Sequence, residues 1–119
     1  MFGVGPATKI YIALDPIDMR KGFDGLYGLV RDHLCQDPLS GHLFLFTNRP
    51  HTRLKVLVWD GSGLWVCAKR LERGRFSWPA SNGSRSVTMR PEELAMLING
   101  MDLKQAHPRK NWMRRTPAA

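Results

Sequence analysis

Short apolar runs separated by turn residues set the rhythm of this chain. Residues 9–14 read KIYIAL, a β-branched and aromatic run ended by Asp15-Pro16. That predicts a strand stopping before Pro16, whose ring restricts the residue ahead of it. Met19, Phe23, Leu26, Tyr27, Val30 and Leu34 then recur at helical spacing, which predicts a helix with Asp18 as its cap. Gly22, Gly25 and Gly28 fall inside it, each at a cost of about 1 kcal/mol relative to alanine. Close approach of the helix to a sheet or to a partner is the expected reason. The run QDPLSG ends this unit.

HLFLFTN, residues 42–48, predicts the next strand, and RPHT a loop. RLKVLVWD and LWVCAKRL predict two more around DGSG, with Gly61 and Ser62 as a two-residue turn and Asp60 opposite Gly63. In that register Leu54, Val56, Val58, Trp65 and Cys67 share one face, the better core candidate. Arg53, Lys55, Leu57, Trp59, Leu64, Val66, Ala68 and Arg70 share the other, and Arg53 lies opposite Arg70. Like charges directly opposed destabilise a sheet. Either the register is wrong or a ligand offsets the repulsion.

After Gly74, RFSW is a strand candidate stopped by Pro79, ASNGSR a loop and SVTM a short strand. Pro91 opens a helix with an apolar stripe of Leu94, Leu97, Ile98 and Met101, which ends at Gly100 or one residue beyond it. Glu92 and Glu93 stand in its first turn, where carboxylates complement the dipole. The order β-α-β-β-β-β-α predicts one α+β domain over residues 1–103. About five strands form an antiparallel or mixed sheet with two packed helices. Residues 104–119 read as a basic, mobile tail containing Trp112.

Composition sharpens this picture through charge. The 119 residues carry a net charge of +8. Residues 49–90 hold nine cations and two acids, and residues 104–119 hold five cations and no acid. Positive charge gathered into a block and a tail suits a polyanionic partner. No apolar stretch is long enough for a membrane span, and no signal peptide is visible. Cys35 and Cys67 form no C-x-x-C and are expected to be buried thiols in a reducing cytoplasm. His33, His42, His51 and His107 show no metal-ligand spacing. No metal or cofactor is expected.

A metal-dependent nuclease needs acids converging from separate elements. Asp15, Asp18 and Asp24 cluster in sequence, but Asp18 reads as a cap and Asp24 as a helix surface residue. No nucleophile elbow, P-loop or dinucleotide fingerprint is present, so no enzyme is expected. KRLERGRFSWP, residues 69–79, reads either as an ordinary hairpin with a solvated edge or as a surface for nucleic acid. Lys69, Arg70, Arg73 and Arg75 are placed to contact phosphates, with Arg53, Lys55, Arg20 and Lys21 beside them. Phe76 and Trp78 either pack in the core or stack on exposed bases. Arg109, Lys110, Arg114 and Arg115 would add a basic arm. No helix-turn-helix or zinc-finger pattern supports base reading. A protein interface is the competing reading, through the glycine-bearing helix or through Trp59 and Trp65 around the hairpin turn.

PIDMRKGFDGLYGLV, HLFLFTNR, RLKVLVWDGSGLWVCAKRLERGRFSWP and PEELAMLINGMD together resemble one family. It is the accessory protein, labelled TnpB or second-open-reading-frame protein, of bacterial insertion sequences of the IS sixty-six type. The resemblance covers roughly residues 8–103. Its blocks fall on Asp18, Met19, Arg20, Lys21, Phe23, Asp24, Gly25 and Leu26. They fall again on Lys55, Trp59, Asp60, Lys69–Glu72, Gly74–Phe76, Trp78 and Pro79. The resemblance implies a non-catalytic role in DNA transposition beside a separate, larger transposase. DNA contact remains an expectation from charge, and a protein-only adaptor or an RNA-binding protein are the alternatives. Relatives place Ser or Thr before the last helix where this chain has Arg90, so that helix is expected to fray or to use another cap.

Overall fold

A computed structural model describes residues 5 and 7–100. The tail expected over 104–119, with Arg109, Lys110, Arg114 and Arg115, lies outside them, as does Met101 of the last helical stripe. Strand β1 (Ile10–Ala13) leads to helix α1 (Phe23–Gly28), which widens into a π-helical turn over Leu29–His33. There Leu34 N–H donates to the Leu29 carbonyl at 2.9 Å. Strands β2 (Leu43–Thr47), β3 (Arg53–Trp59), β4 (Leu64–Arg70) and β5 (Ser86–Met89) precede helix α2 (Pro91–Ile98). The sheet order is β4-β3-β2-β1-β5. β1 and β2 run parallel and all other neighbours antiparallel, so the α+β domain is built on a mixed sheet.

Both faces of the sheet are core. Ile10, Ile12, Leu43, Leu45, Leu54, Val56 and Val58 pack on the side of α2, beneath Leu94 and Leu97. Ala13, Phe44, Phe46 and Leu57 pack on the other side, beneath Leu26, Val30 and Leu34. This corrects the choice of one core face for the hairpin. Leu57 is fully buried on the face passed over, whereas Trp65 of the favoured face is 50% exposed.

The hairpin register is as the turn chemistry predicts. Arg53 pairs with Arg70, Lys55 with Ala68 and Trp59 with Leu64. Asp60 N–H donates to the Gly63 carbonyl at 3.0 Å, and Gly61 takes φ +102°. The Asp60 carboxylate accepts from the backbone of Ser62 and Gly63 and from the indole N–H of Trp65 at 2.7 Å. These bonds, the Ser62 amide first, hold its pKa down at about 2 against an ordinary 3.8. Their stabilisation is complete above pH 3.8 and is lost as pH falls towards 2. Asp60→Asn is therefore expected to flatten the acid limb of thermal stability in that window, read by calorimetry at successive pH values. An unchanged limb would exclude Asp60 as its source.

Four local expectations need correction. Asp18 does not cap α1, whose N-cap is Gly22 and which has no side-chain cap. Its carboxylate accepts from the backbone and guanidinium of Arg20, two residues on. RFSW forms no strand; Phe76 N–H donates to the His51 carbonyl at 2.7 Å, and both rings turn inward. Cys35 is exposed and Cys67 half-buried. The helix glycines do not serve approach to the sheet. A Cβ on Gly22 or Gly28 would meet open space, and one on Gly25 the Lys21 side chain at 3.0 Å. At α2 Arg90 offers no side-chain acceptor to the first-turn amides, and only the other half of a capping box forms, with Glu93 accepting from the Arg90 N–H at 3.0 Å.

Candidate nucleic-acid interface

The end of the hairpin away from its turn carries most of the predicted cations among the described residues. Met19, Arg53, Lys55, Ala68, Lys69 and Arg70 line a concavity there of about 190 Å³. Ala68 is the smallest of them and leaves the space between the long side chains. The loop before β3 is fixed by Asn48, whose side-chain oxygen accepts from the N–H groups of Thr52 and Arg53 at 2.9 and 3.1 Å. After β4 the chain returns beside the same loop: Leu71 N–H reaches the Thr52 carbonyl at 2.9 Å. Gly74, at φ +74°, turns the segment that bears Arg73 and Arg75. Both arginines are exposed. Arg49, exposed in the loop before β3, belongs to this end too. Reading RPHT only as a loop passed it over, although it lies in the basic block.

The cations differ in how they are held. Arg53 is exposed, and its guanidinium has no ion-pair partner among the described residues. Arg70 meets Glu72 at 3.2 Å, with both side chains more than half exposed. Such a surface pair is screened by solvent and yields readily to a stronger anion. Lys55 is half-buried, and its ammonium donates to the carbonyls of Met19 and Lys21 at 2.7 and 2.8 Å. It staples the approach to α1 onto the sheet, so its first role is structural. Lys69 points to the opposite face and donates to the Ile98 carbonyl at 2.8 Å, at the end of α2. Arg20 is committed to Asp18 at 2.7 Å. The arginine's hydrogen bonds hold the Asp18 carboxyl at a pKa of about 2.

Lys21 belongs to a second concavity, of about 460 Å³, along α1. Asp24, Asp32 and His33 line it as well. Acids inside it make it a poor phosphate site. The predicted cations are therefore divided: Arg53 pairs with Arg70 across β3 and β4, Lys69 turns to the α2 face, and Arg20 and Lys21 stand beside acids.

The aromatic residues take the core role. Phe76 is 1% and Trp78 9% exposed. The Trp78 indole N–H donates to the Ala13 carbonyl at 2.8 Å in the interior. Neither ring offers a face for stacking on bases. The acids weighed for catalysis are dispersed: Asp15 meets His33 at 3.2 Å and Asp18 holds Arg20. Among the described residues no three His, Cys, Asp or Glu side chains gather to hold a metal ion. No described helix is long and apolar enough to cross a membrane.

The family described as IS66 Orf2 like protein matches residues 8–108. Two Sinorhizobium fredii proteins are similar over most of their length. The one named "Uncharacterized protein y4hO" is 38% identical over 112 residues, covering 94% of this chain and 95% of its own. The one named "Uncharacterized protein y4jC" is 37% identical over 102 residues, covering 86% of each chain. No solved structure matches.

Proposed function

The chain belongs to the IS66 Orf2-like family, which implies an accessory role in an insertion sequence, and from that premise we propose that it binds element DNA through phosphate contacts. Arg53 and Arg70 make the central contacts, and Arg49, Arg73 and Arg75 extend them. The chain serves a separate transposase that carries the chemistry, and it supplies no catalytic group of its own.

One observation carries this reading: Arg53 lies directly opposite Arg70 across β3 and β4, and both line one concavity. A folded chain gains nothing for its own stability from pairing two arginines across a ladder, and the exposed Arg70–Glu72 pair offsets little of that cost. A phosphate between them reverses the sign of that interaction, since arginine offers paired N–H donors matched to phosphate oxygens. The arrangement suits backbone contact and offers no element for the major groove, so sequence selection is left to the transposase.

Titrating the full chain with duplex DNA between about 50 and 200 mM salt tests this. Each phosphate neutralised adds about −0.9 to the slope of log K against log salt. A steep negative slope is expected. Absence of binding at the low-salt end, or a slope near zero, would overturn the DNA reading and leave acidic residues of the transposase as the anion these arginines meet.

A further inference from the structure

Strand β4 stands at the edge of the sheet, and its sequence is not that of a protected edge. It is seven residues long and begins with five apolar residues, Leu64–Ala68, none of them fully buried. Natural edges are shortened, bulged, or broken by proline or lysine. β5, at the opposite edge, is four residues long and half polar. β4 pairs with β3 in one unbroken register, without bulge or proline, and its cations come only at the end, at Lys69 and Arg70.

The direction of its backbone groups follows from the ladder. Asp60 bonds Gly63, and Leu71 bonds Thr52. Antiparallel pairs alternate between bonded and non-bonded, so Trp65, Cys67 and Lys69 turn their amides towards β3. Leu64, Val66, Ala68 and Arg70 turn theirs outward, and no described strand takes them up.

We propose that this edge pairs with β4 of a second copy of the chain. The two strands run antiparallel about a two-fold axis at Val66 and make one continuous sheet. Charge selects both the occupant and the register. β4 is preceded by the ionised Asp60 and ends in Lys69–Arg70, so the strand is acidic at one end and basic at the other. Antiparallel pairing about Val66 sets Arg70 across from Ser62 of the second copy, one pleat from its Asp60. The two Arg70 side chains then stand eight residues apart along the strands, roughly 27 Å. A parallel pairing, or a shift towards the basic end, would bring Arg70 against Arg70 on top of the existing opposition to Arg53. Leu64 and Val66, half-buried at the margin of the α1-side core, would meet Ala68 and Val66 of the second copy and close that margin. This pairing is isologous and self-limiting, because it consumes the long edge of each copy.

Sedimentation equilibrium of the full chain reads the outcome. The mass should rise with concentration from 13.5 kDa to twice that value. Ala68→Pro removes an outward N–H while sparing the bonds to β3, and should raise the dimer dissociation constant by at least about tenfold. A monomer at every concentration, or a dimer indifferent to Ala68→Pro, would overturn the proposal. Should that variant not fold, amide exchange of the unaltered chain decides. Slowing at Val66 and Ala68 as concentration rises supports the pairing, and rates independent of concentration refute it.

Discussion

Trp78→Ala is expected to destabilise the domain by about 3–5 kcal/mol. Domains commonly have only about 5–15 kcal/mol in total, so the variant should be partly unfolded near body temperature. Two losses add. The ring, 9% exposed, leaves a cavity beside Phe76 and Leu71 in the α2-side core. The buried bond from its indole N–H to the Ala13 carbonyl, 2.8 Å long, also disappears. That bond ties the irregular segment after β4 to the end of β1, across 65 residues of chain. Trp78→Phe separates the two effects. It keeps most of the packing and removes the donor, for which about 1–3 kcal/mol is expected. Urea unfolding of both variants checks this. If Trp78→Ala costs less than about 1 kcal/mol, the ring is not the anchor of the segment bearing Arg73 and Arg75.

Arg53→Ala with Arg70→Ala is expected to separate binding from stability. The double variant should lower the salt slope for duplex DNA by about 1.8, which at 0.1 M salt corresponds to roughly 10- to 100-fold weaker binding. Its thermal stability should be unchanged or higher. Removing one of two opposed cations relieves a repulsion on the order of 0.2–1 kcal/mol, and removing the second then adds little. Single and double variants, measured for both properties, give the coupling directly. Lys55 should behave in the opposite way. Lys55→Met takes the donor away from the Met19 and Lys21 carbonyls, so stability should fall while the salt slope changes little. A double arginine variant that loses stability, or one that keeps its full slope, would move the phosphate contact elsewhere.

What was legible in the sequence depended on how local its cause was. The hairpin register could be read because DGSG fixes the turn and a period of two fixes the rest. The second core face could not. β3 presents Arg53 and Lys55 before Leu57 on that face, and the two charges at one end hid the burial of the other. Asp18 failed as a cap because an aspartate that bonds the residue two places on looks the same in sequence as one that opens a helix. The alternation of Phe76 and Trp78 looks like a strand, yet it reflects only two rings turned into the core. In the sequence Lys55 and Lys69 look like phosphate ligands, because backbone carbonyls, their actual acceptors, leave no mark there. The opposition of Arg53 to Arg70 was legible, and it is the part on which the DNA reading rests.

Sheet order also sets when the chain can close on itself during synthesis. β2, β3 and β4 are contiguous and can assemble as soon as residue 70 has left the ribosome. β1, translated first, must hold its place beside β2 with one side bare until Ser86–Met89 emerges to cover it. The earliest strand thus waits for the latest, and a nascent chain halted anywhere between them leaves β1 as a bare edge open to whatever is nearby.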